Sequence, residues 1–395
     1  APATVLVTDG EQRAALAVVR SLGRAGHRVI VASARRNSLA GWSRYAAHTV
    51  EVPDPLAAPE AFTAALLAAA QHWRPDVVLP MTDAALRSLL PVRDALIGVI
   101  PFGPADVVRR AADKPEVLRL AETLGLHVPR QIVLTQPDEA TDSALASLSW
   151  PIVVKPGSSV SGGPGGQIKL GVSWAHDMGQ LRTITRSLPA SAYPLLLQER
   201  VEGPGTGVFL LRWDGRTIAG FAHERIREKP PSGGVSVCSV SVTPDRDLVV
   251  HAEALLAALQ WQGPAMVEFK RDARTGTAYL MEVNGRFWGS LQLAVDAGVD
   301  FPRILVDAAL GRPLSAPPTW QSGVRMRWWW GEVDHVIARL RHTGEPAAPA
   351  GSRLEVLRNF LLPGHGTRNE VLRWRDPGPA FREAIDWFRS TGRGA

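Results

Sequence analysis

Lysine is scarce in this sequence: of 44 cationic residues among 395, only Lys114, Lys155, Lys169, Lys229 and Lys270 are lysines. Cysteine is scarcer still. Cys238 is the single one, so no intramolecular disulfide can form and nothing points to an oxidising compartment. It lies between Val237 and Ser239 and reads as core filler, and no Cys/His spacing suits a transition metal. No stretch approaches the roughly 18 consecutive apolar residues of a membrane span. The first residues carry Asp9 and Glu11 and lack the basic-then-apolar pattern of a secretory leader. A cytoplasmic protein without a membrane partner is expected. A G-x-G-x-x-G after the first apolar run is also missing, so a dinucleotide site is not supported.

With 45% hydrophobic residues, 21% charged and 13 tryptophans, the chain can bury the cores of two or three domains. The net charge of +6 is mostly local, because residues 311–395 hold 13 arginines against 8 acids. The basic pairs there are short and interrupted by acids, which describes a solvated face rather than a nucleic-acid groove. Abundant Ala, Arg, Gly and Pro fit a GC-rich base composition, and that alone accounts for rare lysine. Of the five that persist, Lys114, Lys155, Lys229 and Lys270 fall inside or beside candidate site motifs, where a compact ammonium is expected to serve better than a planar guanidinium, and Lys169 has no assigned role.

The first hundred residues alternate strand-like and helix-like patterns. Thr4–Thr8, Val29–Ala32, Asp76–Pro80 and Gly98–Phe102 are short apolar runs, and Glu11–Ala25 has helical character. Such alternation predicts a parallel sheet covered by helices. Loops at strand C-termini face the ligand crevice of these sheets, which makes Asp9, Thr82 and Asp83 candidates for substrate contact; helix capping explains the two aspartates equally. From Asp113 the character changes. A helix is predicted from Lys114 through Leu124, then strands at Gln131–Leu134 and Trp150–Pro156. Residues 311–323 read as a linker, and Glu332–Arg341 as a helix.

Three constellations carry chemistry. Lys155 ends a buried-type strand and is followed by a Gly/Ser-rich stretch, 157–166, including Ser158, Ser161, Gly162 and Gly163. Bare backbone N–H groups beside an ammonium can wrap phosphate oxygens, although a flexible connection has the same composition. Glu268 and Glu282 sit among apolar neighbours on two predicted strands, 265–270 and 278–286, joined by a turn at Arg274–Gly276. Asn284 and Arg286 share a face with Glu282, so an all-oxygen site for Mg²⁺ is one reading and a salt bridge to Arg286 or Lys270 is the other. Third, Gln198–Val201 ends a strand at a polar connector suited to reading a base edge. Between these, His223, Arg225, Arg227 and Lys229 alternate on a predicted strand closed by Ser232, Gly233 and Gly234, giving a cationic face for a carboxylate and a transferring phosphate. Glu224 and Glu228 are expected to point away from it. The stretch Arg325–Trp330 is read as packing a C-terminal extension onto the preceding lobe.

The order of these segments resembles the ATP-grasp superfamily, including its carboxylate–amine ligase and carbamoyl-phosphate-synthetase-like members: Lys114 at a helix start, V-V-K-P with a Gly-rich loop, Q-E-x-V-x-G, V-E-F-K and M-E-V-N-x-R. The resemblance covers roughly residues 1–310. It implies an α/β fold with α+β catalytic lobes: a Rossmann-like domain at 1–107, a small lobe at 108–194, a large lobe at 195–312 and an extension at 313–395. By the same resemblance, Lys114 and Lys155 contact ATP phosphates, Gln198, Glu199 and Val201 form the adenine hinge, Glu268, Glu282 and Asn284 hold Mg²⁺ (or Mn²⁺), and Arg286 holds the acyl phosphate or acceptor. Gly205 stands where many members carry a ribose-binding acid, leaving Glu202 as the substitute. The implied activity is ADP-forming coupling of a small-molecule carboxylate to an amine through an acyl phosphate, in a possible homodimer. Carbamoyl-phosphate-type chemistry, a carrier- or tRNA-bound acceptor, and a non-catalytic nucleotide-binding protein are the alternatives.

Overall fold

A computed structural model describes residues 1–163, 165–231, 233–341, 353–362 and 364–391. The first four strands, β1 (Thr4–Val7), β2 (Arg28–Ser33), β3 (His48–Glu51) and β4 (Val77–Leu79), form a parallel sheet in the order β3-β2-β1-β4. The inner strands are continuous Val/Ile/Leu runs because helices cover both faces. The predicted strand Gly98–Phe102 is instead a single bridge from Val99 to Val77. At Gly98 the chain turns with φ +102° and passes so near Pro75 that a β-carbon would lie 2.7 Å from its carbonyl oxygen, so only glycine fits there. The edge strand β3 was not anticipated. It has one partly buried valine among exposed polar residues and so carries no apolar pattern.

The next elements are β5 (Gln131–Leu134), β6 (Ile152–Pro156), β7 (Val160–Gly163), β8 (Gly166–Lys169), β9 (Ser173–Ala175) and β10 (Leu195–Glu199). An antiparallel sheet runs β5-β10-β6-β9, with its own core around Leu134, Ile152, Val154, Leu195 and Leu197. The Gly-rich stretch is the hairpin β7-β8. It rests on the first domain: Gln167 N donates to Leu56 O at 2.7 Å, and its side-chain amide reaches Pro55 O and Ser88 Oγ, both at 3.1 Å. Gly166 permits this approach, since a β-carbon would stand 2.7 Å from the Leu56 carbonyl oxygen.

The third sheet has seven strands: β11 (Gly205–Trp213), β12 (Arg216–Lys229), β13 (Val235–Ser241), β14 (Gly263–Arg271), β15 (Ala278–Asn284), β16 (Arg325–Arg327) and β17 (Arg368–Asn369), ordered β15-β14-β11-β12-β13-β16-β17. Its core is continuous with that of the first sheet, where Val7 and Leu16 share a cluster with Phe209, Phe221 and Leu291. The last two strands come from beyond residue 312. Helix Trp329–Leu340 packs beside β12, and helix Gly378–Thr391 follows β17. Arg20, 1% exposed on the first helix, binds Asp376 at 2.8 Å and donates to the carbonyls of Glu370 and Val371, clasping the N-terminal domain to the C-terminal segment. Among the described residues no helix is long and apolar enough to cross a membrane.

Candidate active site

A cleft of about 590 Å³ opens between the four-stranded β5-β10-β6-β9 sheet and the seven-stranded sheet. Its chemistry is zoned. At one end Val153, Trp174, Val201 and Met281 form an apolar slot beside the chain of Gln198–Val201. Gln198 is 1% exposed; its amide nitrogen donates to Gln131 at 2.7 Å, and its Oε1 is buried without a partner. A flat heteroaromatic amine suits both features, because an orphaned buried acceptor costs about 1–3 kcal/mol until a donor reaches it. Glu199 also borders the cleft, with its carboxylate held by Ser149 N at 3.1 Å and near Arg130. Glu202 does not reach the cleft: its side chain is 68% exposed and pairs with Arg200 at 3.2 Å. At Gly205 a β-carbon would come within 3.2 Å of Arg225 Cδ, so an acid there would run into the guanidinium stem.

The middle of the cleft is charged. Asp113 caps the helix that begins at Lys114, and that register turns Lys114 Nζ toward Ser159 Oγ at 2.9 Å and Glu282 Oε2 at 3.5 Å. Lys155 projects from β6 toward Met281 Sδ, 4.0 Å away. Burial pulls its ammonium down to about 8, with Glu282 opposing the fall. Glu268 and Glu282 are direct partners across β14 and β15, and Asn284 donates to Glu282 Oε1 at 2.9 Å. Burial alone would raise the Glu282 carboxyl, but Lys114, the Asn284 amide and Lys155 hold it down to about 2. Glu268 goes the other way, raised by burial and by facing Glu282, against the pull of Arg225 at 2.6 Å. Two facing carboxylates and an amide oxygen are a hard-oxygen set, and a divalent cation would remove the repulsion between the pair, so Mg²⁺ fits these residues.

At the far end His223, 1% exposed, meets Ser290 Oγ at 2.8 Å, and its Nδ1 is buried without a partner. Burial and Arg225 lower the imidazole to about 3, so it is neutral. Arg286 binds Asp83 at 2.9 Å, tying the end of β15 to the first domain; burial would weaken this guanidinium's hold on its proton, but Asp83 more than restores it. Asp83 therefore lines the cleft, while the helix behind it is capped by Thr82. Asp9 caps nothing; it is buried and accepts from Thr82 Oγ1 at 3.0 Å.

The expected cationic face is split. β12 slips register on either side of Arg227, so the alternation that would align four side chains fails there. His223 and Arg225 face the cleft, whereas Arg227 pairs with Glu332 and Lys229 with Asp334, both on helix Trp329–Leu340. Lys229 is thus no cleft residue. Glu228, expected to point away, lines the cleft and binds Arg225 at 2.9 Å. Gly233 and Gly234 also line it; Ser232 lies outside the described residues. Of the hairpin, Ser158 borders an adjoining pocket, and Ser159, Val160 and Lys169 border the cleft. Ser161 instead donates to Ser191 O, and nothing stands within 4 Å of a β-carbon at Gly162, while Gly163 packs on Ile168. Ser159 falls within the Gly/Ser-rich stretch expected to bind phosphate, whereas sequence reasoning does not find Lys169, Glu228 and Ser290. Ser290 carries no sequence signal, being 67 residues from His223.

Comparisons with known proteins bear on this site. Residues 191–331 match a family model described as "ATP-grasp in the biosynthetic pathway with Ter operon". The carbamoyl phosphate synthase large chain of Thermus thermophilus is 25% identical over 93% of this chain, which spans only 36% of that protein's length. Among solved structures, N5-carboxyaminoimidazole synthetase from Staphylococcus aureus complexed with ADP superposes with a TM-score of 0.61 at 15% identity, covering 80% of each chain. L-amino acid ligase from Bacillus licheniformis gives 0.60 at 18% identity, covering 78% of this chain and 74% of that one.

Proposed function

We propose that this chain, whose residues 191–331 match an ATP-grasp family model and whose fold is shared with solved ATP-dependent synthetases, is an ADP-forming ligase that activates a small carboxylate as an acyl phosphate and transfers the acyl group to an amine. The observation that carries this reading is the pair Glu268–Glu282 set beneath Lys114 and Lys155 in a cleft with an apolar slot at one end. Adenine occupies the slot beside Gln198 and Val201, and the phosphates run toward Lys114, Lys155 and Ser159. Mg²⁺ held by Glu268, Glu282 and Asn284 supplies charge neutralisation on the phosphates.

No protein nucleophile is needed. The substrate carboxylate attacks the γ-phosphorus, the bond to the β–γ bridging oxygen breaks, and ADP leaves; the amine then attacks the acyl carbon and inorganic phosphate departs with the electron pair. The protein's part is to place and neutralise. Arg225 is fixed by Glu228 and Glu268, and Arg286 by Asp83, so both guanidiniums are set before substrate arrives. The neutral His223–Ser290 pair offers a lone pair and a hydroxyl to the acceptor amine. The hairpin seated on Leu56 and Ser88 keeps water from the acyl phosphate.

The likeness to a carbamoyl phosphate synthase large chain supports a second reading in which bicarbonate is the carboxylate. One screen separates them: ADP release by the purified chain with Mg-ATP against carboxylates, bicarbonate and amines, with mass spectrometry of the product. An amide accompanied by stoichiometric ADP supports the ligase. ADP release with bicarbonate alone favours the second reading, and no ADP release with any pair sinks both.

A further inference from the structure

Beside the cleft lies a second cavity of about 210 Å³, between helix Asp83–Leu89, helix Ala105–Ala112 and the start of the Gly-rich hairpin. It shares Asp83, Lys114, Ser159, Glu282 and Asn284 with the cleft and so opens on the proposed site of phosphoryl transfer. Away from that opening its walls are aliphatic: Leu90, Pro91, Ala105, Val108 and Ala112. Two guanidiniums border it, Arg87 from one helix and Arg109 from the other, and both side chains are exposed.

The charges around this cavity do not balance. Its two carboxylates are already engaged, Asp83 by Arg286 and Glu282 by Lys114. Among the described residues neither Arg87 nor Arg109 has an ion pair or a hydrogen-bond acceptor. Their neighbours do: Arg93 donates to the carbonyls of Ile100 and Phe102, and Arg110 binds Glu116 at 2.6 Å. Two uncommitted planar cations over an apolar chamber form a binding element for an anionic group attached to a short hydrocarbon. At 210 Å³ the chamber is below the roughly 300–1,000 Å³ of pockets for drug-sized ligands, which restricts it to compact acids.

We propose that this cavity is the subsite for the carboxylate substrate, and that the substrate is a small acid carrying a second anionic group, carboxylate or phosphate, across a short apolar segment. The reacting carboxylate lies by Lys114 and the second anion by Arg87 and Arg109. The assignment rests on the ligase reading for its role in turnover but not for binding.

The test uses the full chain saturated with Mg²⁺ and a non-hydrolysable ATP analogue. Calorimetric titration compares succinate, glutarate and adipate with butyrate and valerate, and 3-phosphonopropionate distinguishes a phosphate-type anion from a second carboxylate. A doubly charged acid is expected to bind at least tenfold tighter than the matched monoacid. Arg87→Gln/Arg109→Gln, or Arg109→Gln alone if the double variant folds poorly, should erase that preference while leaving affinity for the analogue within twofold. Equal binding of mono- and doubly charged acids, a preference that survives both substitutions, or no binding of any of these acids to analogue-loaded protein would overturn the subsite. A doubly charged acid that binds through the arginines yet releases no ADP with any amine overturns the ligase reading and leaves the subsite standing.

Discussion

Glu268 and Glu282 face each other across adjacent antiparallel strands, and each is held by a cation from a different part of the chain: Arg225 on β12 for the first, Lys114 at a helix start for the second. The carboxylates stand on the rigid sheet, whereas Lys114 also bonds the hairpin through Ser159. The charged centre thereby couples sheet and hairpin.

Replacing Glu282 by Gln keeps the shape and the Asn284 contact but removes the charge that Lys114 and Lys155 face. ADP formation with the productive substrate pair is expected to fall by at least about 100-fold, with the circular dichroism spectrum unchanged. Turnover within a few-fold of the parent would remove the carboxylate pair from the mechanism.

Lys155 tests whether an ammonium is required. Its value near 8 means that the free protein loses this charge above that pH, while bound phosphate favours the protonated form. Nucleotide affinity should therefore be level below pH 8 and weaken above it, by at most about tenfold per pH unit. Lys155→Arg should flatten that profile and bind ATP about tenfold more weakly at pH 7, since a planar fork does not fit a point-charge site. Fluorescence titration from pH 6.5 to 9.5 checks both.

Arg225 and Lys229 lie on one strand and should behave oppositely. Arg225→Ala strands two buried carboxylates, so a loss of about 3–5 kcal/mol in stability and of nearly all turnover is expected. Lys229 is 40% exposed in its pair with Asp334, so Lys229→Ala should cost no more than about 1 kcal/mol and change turnover less than threefold. Urea unfolding and ADP release on both variants decide.

The contrast shows which parts of the site were legible in the sequence. Lys114, Lys155, Glu268, Glu282, Asn284 and Arg286 stand on or beside elements whose local pattern is readable, and all six line one cleft. Alternation along β12 predicts Lys229 in the site and gives no role to Lys169, whereas Lys169 borders the cleft and Lys229 pairs with Asp334 away from it. The cause is the irregular register of β12, which local alternation cannot reveal because it depends on how β13 pairs alongside. The missed edge strand β3 has the same origin, being defined by its partner β2.

Glu383 offers a test of stability against pH. Burial raises its carboxyl from 4.5 to about 7, with the indole N–H of Trp328 donating to it at 2.6 Å. The folded protein holds this proton to higher pH than the unfolded chain. The contribution is therefore complete below about pH 4.5 and is lost progressively as pH rises to about 7, amounting to about 3 kcal/mol. Glu383→Gln should abolish that part of the decline and be the more stable form at pH 8. Denaturant melts at pH 5, 6, 7 and 8, followed by tryptophan fluorescence, would show parallel curves for the two proteins if the assignment is wrong.

The clasp between Arg20 and Asp376 has a consequence for biosynthesis. Residue 20 leaves the ribosome more than 350 residues before its partner, and the acceptor carbonyls of Glu370 and Val371 arrive equally late. Until then a guanidinium destined for the interior has no counter-charge, so the first domain, though its sheet is local in sequence, cannot reach its final packing before residue 376 has emerged. The burial of one side chain on the first helix thus waits on residues about 350 positions downstream.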